Sequence, residues 1–189
     1  MGAHSLNESV GIEQDIDVAQ IFVHKYFNKP LQHSNDVALL KLAKPAKLNK
    51  DVGVACLPDF HHHLADNKTC WITGWGTTTL EGNIPNQLQE ASVPIVLRER
   101  CAKAYPCEID SSMLCAGFDD GGIDACTGDS GGPLVCEFNG KWYLEGIISW
   151  GDTCASPNKY GVYTNVRFLV QWIKNICQTG TFEPRPMSK

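Results

Sequence analysis

Short apolar runs broken by turn residues set the pattern of this chain. Val37-Ala38-Leu39-Leu40-Lys41-Leu42 is almost wholly apolar and short enough for a buried strand. Residues 15–23 alternate in part, leaving Ile16, Val18, Ile21 and Val23 for a core. Residues 71–75, 88–96, 142–149 and 161–166 predict further strands. Glycine- and proline-bearing breaks lie between many of them, including Leu80-Glu81-Gly82-Asn83-Ile84-Pro85 and Asp119-Asp120-Gly121-Gly122. Such spacing predicts an all-β barrel or sandwich.

Two stretches read as helix. Residues 96–105 form a short charged segment around Arg98-Glu99-Arg100. In residues 165–177, Leu169, Trp172, Ile173 and Ile176 fall on one face, with Asn165 as N-cap and Gly180 just past the end. That stripe is a packing surface. Residues 179–189 are expected to form a tail.

Length and composition narrow the class. A chain of 189 residues with 43% hydrophobic content can build one large domain or two small ones. No window holds the roughly 18 apolar residues of a membrane span. The net charge of −5 and the absence of a basic stripe argue against nucleic acid as a partner. Nine cysteines point to an oxidising compartment and hence to secretion, and without a Cys-x-x-Cys pair no structural zinc site is expected. The triplets Asn7-Glu8-Ser9 and Asn67-Lys68-Thr69 are glycosylation sequons. The opening residues Met1-Gly2-Ala3-His4-Ser5 contain no signal-peptide core, so sequence upstream of Met1 is expected to be missing.

Candidate chemistry concentrates in Asp124-Ala125-Cys126-Thr127-Gly128-Asp129-Ser130-Gly131-Gly132-Pro133-Leu134. A serine hydroxyl becomes a useful nucleophile only with a base for its proton and donors for the oxyanion. Flanking glycines allow unusual dihedrals, so the N–H groups of Gly128 and Ser130 can serve as those donors. A bare Gly-x-Ser-x-Gly is more often just a turn, and it also fits the nucleophile elbow of α/β-hydrolases. Those enzymes place their histidine after the serine. Here His4, His24, His33, His61, His62 and His63 all precede Ser130, which removes that alternative.

The longer motif resembles the chymotrypsin–trypsin family of serine endopeptidases. Matches run in order from Gly2 to about Cys177: Asn35-Asp36-Val37-Ala38-Leu39-Leu40, Ala55-Cys56-Leu57-Pro58, Thr73-Gly74-Trp75-Gly76, Met113-Leu114-Cys115-Ala116-Gly117, Ser149-Trp150-Gly151 and Gly161-Val162-Tyr163. The resemblance implies two six-stranded β-barrels followed by a C-terminal helix. Only about two strands of the first barrel are expected here, near residues 14–23 and 37–42, and a pair cannot close a barrel. The implied divisions are 1–52 for that remnant, 53–66 for a connector, 67–163 for the second barrel, 164–178 for the helix and 179–189 for the tail.

Carried over by position, the resemblance implies Ser130 as nucleophile and Asp36 as the carboxylate that orients the histidine. A charge opening an apolar strand also needs a buried partner. Asp124 resembles the acid at the base of a pocket selecting Arg or Lys, with Gly151 and Gly161 as small wall positions. Ser149, Trp150 and Gly151 resemble the edge that pairs with substrate backbone. Asp129 resembles the carboxylate that pairs with an amino terminus freed by activation. The implied disulfides are Cys70–Cys136, Cys101–Cys115 and Cys126–Cys154. Cys56 then resembles a cysteine bonded to a light chain or propeptide, while Cys107 and Cys177 are left either free or paired with each other.

The family's catalytic histidine stands in an Ala-Ala-His-Cys context that this sequence does not contain. His4, His24 and His33 read as solvated or structural, as does the triple histidine at 61–63. Ala3 and Val10 replace carboxylates of the family's calcium loop, so no metal or other cofactor is expected. The implied function is a trypsin-like endopeptidase, with protein substrates and protease inhibitors as partners, in a chain that lacks its general base. The alternative is a catalytically inactive homologue acting as a binding module.

Overall fold

Residues 1–59, 64–79 and 82–179 are described by a computed structural model of the chain. Strands β1 (Val18–Val23) and β2 (Ala38–Leu42) pair antiparallel as an isolated ribbon. The remaining strands are β3 (Thr69–Gly74), β4 (Gln89–Val96), β5 (Met113–Ala116), β6 (Pro133–Phe138), β7 (Lys141–Trp150) and β8 (Gly161–Asn165). They close into one antiparallel barrel in the order β3-β4-β5-β8-β7-β6. Helix α1 (Arg98–Ala104) interrupts the barrel between β4 and β5, and α2 (Val166–Thr179) follows it.

Local chemistry explains several of these elements. Phe138 pairs with Lys141, so Asn139 and Gly140 alone turn the β6–β7 hairpin, at φ of 52° and 74°. Asn-Gly is the dipeptide best suited to two consecutive positive-φ positions. Asn165 caps α2 by accepting the Phe168 N–H on its Oδ1 at 3.2 Å. That helix buries Leu169, Ile173 and Ile176 of the predicted stripe and Val170 besides, while Trp172 is only half-buried.

The barrel core contains Ile72, Val93, Ile95, Ala116, Leu134, Ile148 and Tyr163 around the Cys70–Cys136 disulfide. That bond ties β3 to β6 where their ladder is short, with only Trp71↔Val135 and Ile72↔Leu134 in register. A second cluster, including Val96, Tyr105, Met113 and Val162, packs α1 on the barrel beside the Cys101–Cys115 disulfide. Cys126–Cys154 joins two loops at the barrel mouth. Among the described residues Cys56, Cys107 and Cys177 are free thiols, so Cys107 and Cys177 are not paired with each other.

Polar contacts seat the ribbon on the barrel. The Ser34 hydroxyl donates to Asp110 Oδ2 at 2.5 Å, and the Asn35 N–H donates to Ser112 Oγ at 2.8 Å. Two strands were not foreseen from the pattern. β5 has four residues, and β6 begins at Pro133 directly after Gly131-Gly132, where turn chemistry masks the apolar run. The expectations for His61, His62, His63 and residues 180–189 lie outside the described residues.

Candidate active site

Asp36 sits at the seam between ribbon and barrel. The preceding Asn35, at φ 53°, anchors its loop by donating from Nδ2 to Lys29 O at 2.8 Å and Tyr26 O at 3.2 Å. Asp36 Oδ2 accepts the Ser149 hydroxyl at 2.7 Å, and its carbonyl accepts the Thr164 hydroxyl at 2.6 Å. Both partners lie more than a hundred residues later, on β7 and β8.

Ser130 is exposed at the tip of a tight loop. The loop closes on itself through Asp129 N–H to Cys126 O at 3.0 Å and Gly132 N–H to Asp129 O at 2.8 Å. Gly131 N–H to Ile148 O and Ile148 N–H to Gly132 O then fasten it to β7. Gly128 and Gly131 take φ of 99° and 83°, which side-chain-bearing residues rarely adopt. Among the described residues, the N–H groups of Gly128 and Ser130 have no protein acceptor. An oxyanion needs two such unengaged donors.

A cavity of about 190 Å³ is lined by Ser130, Asp124, Ser149, Trp150, Gly151 and Gly161, together with Tyr163. Asp124 Oδ1 accepts the Ala125 N–H at 2.8 Å, and Oδ2 accepts the Ala155 N–H at 3.2 Å. Burial outweighs these two bonds and pushes the carboxyl up to about 6, aided by the charge of Asp129. A Cβ at Gly161 would stand 2.6 Å from Asp124 Oδ1, so only glycine leaves this wall open. The Tyr163 hydroxyl, buried beside the acid, has no partner among the described residues. An unpaired hydroxyl and a desolvated carboxylate make an energetically unsatisfied pocket floor suited to a cationic donor.

Asp129 points away from this cavity into a second one of about 440 Å³, whose lining includes Gly74, Gly76, Asp124 and Asp129. Its Oδ1 accepts the Gly76 N–H at 2.7 Å and its Oδ2 the Cys126 N–H at 3.0 Å. A Cβ on either Gly74 or Gly76 would collide with the Asp129 carboxylate. Sequence reasoning marked Thr73-Gly74-Trp75-Gly76 only as a motif. The paired glycines flanking Trp75 were the available signal for this cradle. Tyr163 was likewise noted as motif and not as pocket floor.

Two of the three described histidine rings pack against tryptophans. His24 is buried, with its ring edge-on to Trp172 at 4.9 Å, and its Nδ1 accepts the Tyr26 N–H at 3.3 Å. His33 stacks on Trp150 at 5.7 Å, and His4 offers its carbonyl to Leu88 N–H. In the loop of residues 8–13, Glu13 accepts bonds from Val10 N–H, Ser9 Oγ and Gly11 N–H. These bonds, Val10 first, hold its carboxyl down at about 2. Asn7 and Asn67 are exposed, and Cys56 is half-buried against β7, where its N–H donates to Trp142 O.

A family model described as Trypsin matches residues 1–173. The chain is 46% identical over 171 residues to Trypsin-1 of Astacus astacus, covering 90% of this chain and 70% of that one. Serine protease 1 of Homo sapiens is 42% identical over 176 residues, 93% and 68% of the two chains. Transmembrane protease serine 11C of Mus musculus is 45% identical over 159 residues, 82% of this chain but 37% of that one. The chain therefore spans about two thirds of two relatives and little over a third of the other. With a closed antiparallel barrel, a C-terminal helix, three disulfides and this match across most of its length, the chain belongs to the trypsin family.

Proposed function

We propose that this chain is the nucleophile-bearing part of a secreted trypsin-like endopeptidase that cleaves after Arg or Lys. The observation carrying this reading is that Asp124 and Ser130 line one cavity, with the carboxyl desolvated and the serine exposed. Ser130 attacks the scissile carbonyl, and Gly128 and Ser130 N–H groups receive the oxyanion. Asp36, held by Ser149, orients the imidazole that takes the serine proton. The pocket walls at Gly151 and Gly161 admit a long basic side chain, and Ser149, Trp150 and Gly151 pair with the substrate backbone.

Asp129 governs activation in this reading. Its carboxylate now rests on neutral backbone donors, and a freed amino terminus in the adjoining cavity offers a charged partner in their place. Cys56 is the attachment point for a light chain or propeptide, and protease inhibitors enter as substrates do. Secretion, with glycans on Asn7 and Asn67, accords with the three disulfides and the exposure of both asparagines.

In this reading no histidine of the 189-residue chain serves as general base, and among the described ones His24 packs on Trp172 and His33 on Trp150. The chain's turnover of an arginine ester should fall on the order of 10⁶-fold below that of a complete enzyme. Near-normal turnover would refute the missing base. The substrate pocket is tested separately: benzamidine, an aromatic amidine, should bind the chain, and Asp124→Ser should abolish binding. The packing of His24 and His33 on tryptophans favours the second reading, an inactive homologue that binds basic peptides. Reading the transcript upstream of Met1 separates the two, since an Ala-Ala-His-Cys segment there restores the enzyme.

A further inference from the structure

Two loops, residues 117–122 and 155–160, run together next to Asp124. Gly122 N–H donates to Ala155 O and Asn158 N–H to Asp119 O, both at 2.8 Å. A Cβ on Gly121 would stand 2.1 Å from Ala155 O, so the two backbones are in close contact. The later loop carries two parts of the pocket. Ala155 N–H is one of the two donors that hold Asp124, and Tyr160 leads directly into Gly161, whose Cβ position faces the same acid. Where this loop rests therefore sets both the hydrogen bonding of Asp124 and the clearance beside it.

A charged cluster that the proposed catalysis does not use fastens this loop pair. Asp119 Oδ1 accepts the Tyr160 hydroxyl at 2.7 Å and pairs with Arg100 Nη2. Arg100 Nη1 lies 3.5 Å from Asp66 Oδ2, and the guanidinium stands 5.8 Å from the centre of the Tyr160 ring. Arg100 springs from a fixed point, since the next residue, Cys101, is bonded to Cys115 on β5. Tyr160 is buried, and its carbonyl accepts the Tyr105 hydroxyl at 2.8 Å. The Tyr160 bond first and Arg100 second hold the Asp119 carboxyl below the ordinary range, which keeps it an anion. A planar fork with an acid on each arm fixes Asp119 in direction, as a single point charge does not.

We propose that Arg100 is a positioning residue for binding of a basic side chain, acting through Asp119 and Tyr160 on the loop that carries Ala155 and Gly161. The inference rests on the reading of Asp124 as the acid of an Arg/Lys pocket. Arg100, Asp119 and Tyr160 do not line that cavity, so their effect on a ligand is indirect. Without Arg100, Asp119 turns to water, Tyr160 loses a fixed acceptor and residues 155–160 gain freedom. Ala155 N–H then holds Asp124 less well, and a bound cation must order the loop again at a cost in affinity. The other titratable groups around Asp124 are Asp129, Asp152, Tyr105 and Tyr163. Among the described residues none of these four is paired with Arg100, which leaves the loop as the route between them.

Benzamidine titrations of the 189-residue chain at low salt, from about pH 5 to about pH 8, test this. Arg100→Ala should weaken binding at neutral pH about fivefold, the most a partly exposed ion pair is expected to carry. It should also move the pH of half-maximal affinity upward by about 0.5, because Asp124 loses a donor that favours its charged form. Asp119→Asn, a change at an exposed side chain, should do the same and tests the route should Arg100→Ala not fold. The two together should cost no more than either alone, since both act along one path. Arg100→Lys keeps a cation for Asp119 and should recover at least half of the loss. If affinity is unchanged, if it falls with the pH midpoint fixed, if the losses add, or if Lys recovers nothing, the inference falls and the Arg/Lys pocket stands. If Asp124→Ser binds benzamidine as tightly as the native chain, the pocket reading falls and this inference goes with it.

Discussion

In the β1–β2 ribbon Ile21 is 60% exposed and Leu40 56%, whereas in the barrel Val93, Leu134 and Tyr163 are all at 0%. Residue type does not separate the two regions, since both are rich in Val, Ile and Leu. Closure does. Ile21 pairs with Leu40 and Val23 with Ala38, so these four share one face of a sheet with two open edges and no cover among the described residues. Phe22, on the opposite face, is buried. In the barrel each strand has two neighbours and one face turned inward, so the same residues leave water entirely.

Four measurements break or sharpen that contrast. Native-state hydrogen exchange should show the largest effect, with β3–β8 amides protected at least a thousandfold more than those of β1 and β2. Uniform protection would mean that the ribbon is as stable as the barrel. Next, Leu134→Ala should destabilise by about 3 kcal/mol in urea unfolding, and Leu40→Ala by less than about 1 kcal/mol. Equal losses would place both residues in comparable cores.

The barrel also carries a destabilising charge that the ribbon does not. Because burial raises the Asp124 carboxyl from 3.8 to about 6, the stability tied to it is full below pH 4 and lost as pH rises through 6. Asp124→Asn should therefore stabilise the unliganded chain at pH 7 by about 2 kcal/mol and flatten the slope between pH 4 and 6. Affinity for an amidine should run the other way, rising with pH through 6 as the carboxylate forms. A slope unchanged by the substitution would contradict this. Smallest is the seam itself: Ser149→Ala removes the 2.7 Å bond to Asp36 and should cost about 1 kcal/mol, with β2 exchange accelerating before that of β7.

Much of the fold could be read in advance where the pattern was long or punctuated. β4, β7 and α2 are eight, ten and fourteen residues, and their periodicity outweighs the ambiguity of any single position. β5 and β6 escaped because four residues carry little pattern and because Pro133 after two glycines reads as a turn. At the site, Ser130 and Asp124 stood out through the motif around them. His24 and His33 were read only as solvated or structural residues of a loop. Their partners Trp172 and Trp150 lie more than a hundred residues further along the chain, beyond any local signal.

By itself the amino-acid order determined the turn-bound serine loop, because glycine's freedom at positive φ is a property of the residue and needs no neighbours. It likewise specified the Asn139-Gly140 hairpin and the capped helix, which depend on contacts a few residues apart. The tertiary structure alone decided how closed the sheets are, which acid is desolvated, and that Asp36 meets Ser149. Those outcomes depend on the water removed and the charges approached when distant segments meet, and chain order does not encode these locally.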